Sequence, residues 1–113
     1  MHEMSLAEGM LQIIEDAARQ DRFTKVITVW LEIGQLASAD PQAMAFCFDA
    51  VTRHTIAAGA RLEIIQTLGM GRCTACAKTV PVTELFGACP DCGGYQVEVT
   101  DGTAMRIKEL EVA

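Results

Sequence analysis

The sequence has no apolar run close to the ~20 residues that a membrane-spanning helix needs. Its first residues, Met1-His2-Glu3-Met4-Ser5, lack the basic region and apolar stretch of a secretory leader. Basic residues are scarce, with 9 Lys and Arg against 15 Asp and Glu and a formal net charge of -6. That balance argues against a protein that grips nucleic acid by bulk charge. There is no internal repeat, no low-complexity linker, no phosphate loop and no nucleophile beside a base, so an enzyme is not expected. What is present is a chain of 113 residues, 50% apolar and 21% charged, which should fold around a core. It also has 5 cysteines, too many for ordinary core usage and odd, so they cannot all pair as disulfides. The expectation is a cytoplasmic, metal-containing protein.

Ser5-Leu6-Ala7-Glu8 matches a capping box. Behind it Leu6, Met10, Ile13, Ile14 and Ala17 recur at helical spacing, which predicts a helix over about 6–20 and leaves residues 1–4 as a free polar tip. Residues 25–33 are rich in Val, Ile and Thr, with Ile27, Val29, Leu31 and Ile33 all apolar, and predict a strand with at least one buried face. Asp40-Pro41 reads as an N-cap followed by proline at the first helical position. The stripe Met44, Cys47, Phe48 and Val51 comes next, with Arg53 and His54 in the last turn and Gly59 past the end. Residues 61–68 and 105–112 read as two further strands. The predicted fold class is α/β (α+β): two helices packed on a small mixed three-stranded sheet, interrupted by an inserted ribbon at residues 70–97.

Within the insertion, Cys73-x2-Cys76 and Cys89-x2-Cys92 are separated by twelve residues. Two residues between cysteines let both sulfurs of a tight turn face one centre, so two such turns supply a tetrahedral four-sulfur site. Gly93 after the second pair suits a turn that needs positive φ. So short a segment cannot bury enough apolar surface to fold alone, and zinc would supply about 10–16 kcal/mol of apparent binding free energy. With four cysteine ligands no open position remains, so this zinc is structural. Four thiolates and a divalent ion add -2, which moves the formal charge of -6 to about -8 and further disfavours phosphate contacts. Iron in a rubredoxin-like electron carrier is the alternative, because thiolates hold either metal; visible absorbance separates the two. A zinc-ribbon interaction module is the other. Cys47, on the helical stripe, reads as a small buried hydrophobe.

The large side chain of His2 should block removal of the initiator methionine, leaving the α-amine on Met1. An amine, a backbone amide and an imidazole then lie within two residues of one another, a nitrogen set suited to square-planar nickel or copper. Its nitrogens are protonated as pH falls, so such a site weakens below neutrality. On the residues alone, His2 reads first as a plain surface histidine and only second as such a ligand. His54, at a helix C-terminus, has an electrostatic reason for its place.

Met1-His2-Glu3-Met4-Ser5-Leu6, Val29-Trp30-Leu31-Glu32-Ile33-Gly34, Phe46-Cys47-Phe48-Asp49, the paired Cys-x-x-Cys turns and the closing Arg106-Ile107-Lys108-Glu109-Leu110-Glu111-Val112 together resemble the HypA/HybF family over essentially the whole chain. The resemblance implies a nickel metallochaperone of NiFe-hydrogenase maturation. Its implied partners are the GTPase HypB and the hydrogenase large-subunit precursor, with a weak homodimer also compatible. It implies nickel ligation at Met1, His2 and Glu3, with a backbone group at Asp40 as a further candidate, and structural zinc at Cys73, Cys76, Cys89 and Cys92. On this reading residues 1–69 and 98–113 form a discontinuous nickel-binding α/β domain, and residues 70–97 the zinc-ribbon domain. The resemblance gives His54 no role.

Overall fold

A computed structural model describes residues 2–113. Helix α1 spans His2–Asp21 and starts earlier than the capping-box pattern predicts, so Ser5 is an exposed residue inside the helix and His2, Glu3 and Met4 form its first turn. Glu3 explains the early start: an acidic side chain in the first turn favours the helix dipole, and its Oε2 accepts the backbone N–H of Asp40 at 3.2 Å. The buried face is Ala7, Met10 and Ile14. Ile13, predicted to lie on it, is 59% exposed, because at 100° per residue it falls about a quarter-turn from the centre of that stripe. The helix ends without glycine: Arg22 takes φ 59 and its N–H closes onto the Ala18 carbonyl at 2.8 Å.

Strand β1 (Val26–Gly34) has Val26, Val29, Leu31 and Ile33 buried, while Ile27 is 38% exposed. Thr28 is buried too, and its hydroxyl is satisfied by donating to Glu111 Oε1 at 2.7 Å. Helix α2 (Pro41–Thr52) packs against α1 and begins as the sequence predicts, with Asp40 Oδ2 accepting the Ala43 N–H at 2.9 Å and Pro41 opening the helix. Met44, Cys47, Phe48 and Thr52 are its buried residues, so Cys47 is core. The helix stops at Thr52, short of Gly59. Arg53 leaves helical geometry at ψ 135 and His54 takes φ 63. Hydroxyls bond the terminal carbonyls there, Thr52 Oγ1 to Phe48 O at 2.7 Å and Thr55 Oγ1 to Thr52 O at 2.5 Å.

Strands β2 (Arg61–Thr67) and β6 (Met105–Val112) flank β1 in a three-stranded sheet of order β2-β1-β6. Leu68, read as part of β2, lies outside it and is 71% exposed. A second three-stranded sheet, β4-β3-β5, is built from β3 (Met70–Cys73), β4 (Thr79–Pro81) and β5 (Val97–Asp101). β3 pairs antiparallel with both neighbours, Gly71 facing Val80 on one side and Val99 on the other. Because β5 runs to Asp101, the cysteine-bearing sheet continues past residue 97.

The chain divides into two compact units. One takes in the chain up to Leu31 with Ala39–Ile64 and Ile107–Ala113; the other takes in Glu32–Ser38 and Ile65–Arg106. The core of the second is small: Cys73, Val80, Val82 and Cys89 are buried, with Leu36, Cys76, Val97 and Val99 packed on them. Two of the four buried residues of that cluster are therefore metal-type ligands and not hydrocarbon.

Candidate metal centre

The Sγ atoms of Cys73, Cys76, Cys89 and Cys92 all lie within 4.8 Å of one another, the group of potential side-chain ligands that gathers among the described residues. The Cys73 and Cys92 sulfurs are 3.6 Å apart, and those of Cys76 and Cys89 are 3.8 Å apart. A regular tetrahedron with Zn–S bonds of about 2.3 Å has sulfur–sulfur edges of about 3.8 Å. The four sulfurs therefore fit a tetrahedral thiophilic ion with little adjustment.

Two copies of one turn produce this arrangement. In the first, the Cys73 N–H donates to Lys78 O at 2.9 Å and the Ala77 N–H to Cys73 O at 2.8 Å. In the second, the Cys89 N–H donates to Gly94 O at 2.7 Å and the Gly93 N–H to Cys89 O at 2.8 Å. The fifth residue of each turn has positive φ, 62° at Ala77 and 74° at Gly93. That conformation turns the chain so that the next amide, Lys78 in one copy and Gly94 in the other, points back at the second cysteine sulfur. Sequence reading found Gly93 but missed Ala77, whose side chain carries no hint of positive φ. The clue available was the matched spacing of the two pairs.

Amide donors and burial set the protonation of the sulfurs. The Cys76 amide, helped by that of Ala75, outweighs desolvation and pulls the Cys73 thiol down to about 7. At Cys76 the Lys78 amide favours the thiolate, but desolvation and the neighbouring sulfurs outweigh it and push the thiol up to about 11. Cys92 is raised as well: its Gly94 amide is overcome by Cys73, Cys89 and desolvation. Four thiolates so close together repel, so filling the site releases protons and is favoured as pH rises.

The other candidate ligands lie at the start of α1. Met1 lies outside the described residues. His2 is exposed at the first helical position, and Glu3 is half-buried with its carboxylate on the Asp40 amide. That amide lowers the Glu3 pKa, with a further contribution from the Glu3 backbone N–H and a smaller one from His2. The structure thus brings Glu3 and the Asp40 backbone together, while Asp40 also caps α2. Among the described residues no cluster of three side-chain ligands forms around His2. What this end offers is backbone: the first amides of a helix have no intrahelical acceptor.

The profile of the family described as "Hydrogenase/urease nickel incorporation, metallochaperone, hypA" matches residues 1–112. The chain belongs to the HypA family. It is 69% identical over 112 residues to the hydrogenase maturation factor HypA of Albidiferax ferrireducens, covering 99% of each chain. It is 59% identical to the HypA of Dechloromonas aromatica, again over 99% of each. Two solved structures share the fold. The Ni metallochaperone HypA from Helicobacter pylori gives a TM-score of 0.71 at 23% identity, covering 97% of this chain and 96% of that one. A second HypA solution structure gives 0.73 at 24% identity, covering 100% of this chain and 97% of that one. HypA proteins are metallochaperone maturation factors and not catalytic enzymes. No described helix is long and apolar enough to cross a membrane.

Proposed function

We propose that this chain binds Ni(II) at its N-terminus through Met1, His2 and Glu3 and delivers it in the cytoplasm during NiFe-hydrogenase maturation. On the same reading Cys73, Cys76, Cys89 and Cys92 hold structural zinc. HypB and the hydrogenase large-subunit precursor are the proposed protein partners. On this reading residues 1–69 and 98–113 make up the nickel-binding domain, and residues 70–97 the zinc-ribbon domain.

The observation that carries the nickel reading is the Glu3–Asp40 contact at the start of α1 in a HypA-family chain. It fixes the first turn while leaving His2 exposed, at a helix end whose first amides have no intrahelical acceptor. A cation at a helix N-terminus is opposed by the macrodipole. Nickel meets that opposition by displacing an amide proton, which converts an orphan donor into an anionic nitrogen ligand, with the Glu3 carboxylate close by. Zinc, which prefers tetrahedral thiolate and imidazole ligands, gains less at such an end and more at the four sulfurs. The two ions are thus sorted by ligand chemistry. A terminal site built partly of backbone can also exchange its ligands one at a time, as delivery requires.

Nickel titration of the untagged protein against one carrying an N-terminal tag tests this reading. The tag removes the free amine, and a large loss of nickel affinity is expected. Equal affinity would take Met1 off the ligand list. Visible absorbance of the purified protein would replace zinc by iron.

A further inference from the structure

We propose that Cys92 is the entry point for oxidants and electrophiles at the four-sulfur site, and that peroxide attack there ends in a Cys73–Cys92 disulfide that dismantles the site. The proposal rests on the reading of these four cysteines as a zinc site.

The four cysteines are alike in chemistry but unlike in burial. Cys73 and Cys89 are buried, at 0% and 2% exposure, Cys76 is half-buried, and Cys92 is exposed. The two second cysteines, Cys76 and Cys92, also differ in the two residues that directly follow them. After Cys76 stand Ala77 and Lys78; after Cys92 stand Gly93 and Gly94, which bring no side chain to shield the sulfur. A methyl group built on Gly94 would sit 3.5 Å from Cys92 Sγ, in ordinary van der Waals contact, so its absence leaves that side of the sulfur open. The backbone geometry of the two turns is otherwise the same. Reactivity of a thiolate depends on its access to solvent, so the exposed member of the set reacts first.

The partner for the second step is in place. Cys73 Sγ lies 3.6 Å from Cys92 Sγ. The Cys92 thiolate attacks one oxygen of hydrogen peroxide, forming an S–O bond and releasing hydroxide. The Cys73 thiolate then attacks the Cys92 sulfur, forming the S–S bond and expelling the second hydroxide. Two thiolates and one peroxide give one disulfide and two hydroxides; the sulfurs lose two electrons and the O–O bond takes them. Cys76 and Cys89 remain as two ligands where four stood, too few for a structural site. The new bond joins the first turn to the second, and a thiol reductant reverses it.

The test uses the full-length, zinc-loaded protein. Zinc is first quantified: about one ion per chain is expected from the four-ligand site, and its absence would overturn the zinc reading and this proposal with it. Limiting peroxide, or limiting iodoacetamide in parallel, is then tracked by peptide mass spectrometry and by a chromogenic zinc chelator. Cys92 should be alkylated ahead of the other cysteines, the first disulfide should be Cys73–Cys92, and zinc release should track its formation. With zinc fully bound, equal labelling of the four cysteines, or Cys76–Cys89 as the first disulfide, would overturn the proposal alone. Gly94→Ala places its methyl against Cys92 Sγ without crowding. It should keep its zinc and slow Cys92 modification by about threefold or more; an unchanged rate would contradict the assigned cause.

Discussion

Ala77 and Gly93 occupy the same position in two copies of one turn, with φ of 62° and 74°, and only one of them is a glycine. Left-handed backbone costs a residue with a Cβ about 1–2 kcal/mol, and glycine escapes that at a smaller entropic cost of about 0.5–1 kcal/mol. The two turns therefore hold the same geometry at different internal strain.

Exchanging the residues at these positions should move stability in opposite directions. Gly93→Ala meets no atom within 4 Å, so its cost is backbone alone, about 1–2 kcal/mol. Ala77→Gly should be neutral to stabilising by up to about 1 kcal/mol. Because folding of the ribbon is tied to metal, the change is read as the chelator concentration needed to strip zinc. A Gly93→Ala protein that resists chelation as well as the parent would contradict the equivalence of the turns.

Glycine at positions 34 and 69 has a different cause, close backbone approach, and Gly102 combines such an approach with a φ of 91°. A Cβ on Gly34 would lie 2.1 Å from the Gly102 carbonyl oxygen, and one on Gly102 would lie 2.6 Å from the Gly69 Cα. Neither obstacle is the flexible end of a side chain, so Gly34→Ala should cost about 3 kcal/mol or more in thermal or denaturant unfolding. Gly9, inside α1 with nothing within 4 Å, is the control: Gly9→Ala should stabilise by about 1 kcal/mol. A Gly34→Ala protein as stable as the parent would show that the strands do not meet so closely.

The Glu3–Asp40 contact has a defined pH response. The folded-state pKa of Glu3 is lowered by the Asp40 amide. Stabilisation from the contact is therefore present above the unfolded carboxyl value and is lost as pH falls through the lower folded value. The Glu3 side-chain carboxyl NMR shift should titrate with an inflection below the ordinary Glu value of about 4.3. An inflection at or above the ordinary value would mean that the carboxylate does not hold this amide.

How much was legible from sequence depended on whether the determining interaction was local. The Asp40-Pro41 start of α2 and the two Cys-x-x-Cys turns are written within a few residues, and both are legible from the residues alone. The start of α1 could not: Ser5 and Glu8 satisfied a local pattern, whereas Glu3 is tied to a residue 37 positions away. Strands β3, β4 and β5 were not read as a sheet because their register rests on pairings such as Gly71 with Val80 and Val99, with no alternation long enough to announce them. The open flank of Cys92 was also silent, since it results from side chains that are missing.

Removing zinc should affect one part of the chain more than the other. The buried residues around the sulfurs are Cys73, Val80, Val82 and Cys89, too little hydrocarbon to hold the β4-β3-β5 sheet without metal. After chelation, amide hydrogen exchange should accelerate sharply across β3, β4 and β5 while the α1 and α2 core at Met10, Ile14, Met44 and Phe48 stays protected. Uniform loss of protection in both would contradict a ribbon folded by its own metal.

Nickel titration of the untagged parent and of His2→Ala, with zinc measured on the same samples, bears most directly on the central claim. His2→Ala should lose nickel affinity by at least about tenfold, roughly 1.4 kcal/mol, while its zinc content is unchanged. Parent-like nickel affinity in His2→Ala, or nickel loss accompanied by zinc loss, would contradict the assignment of the two ions to separate sites.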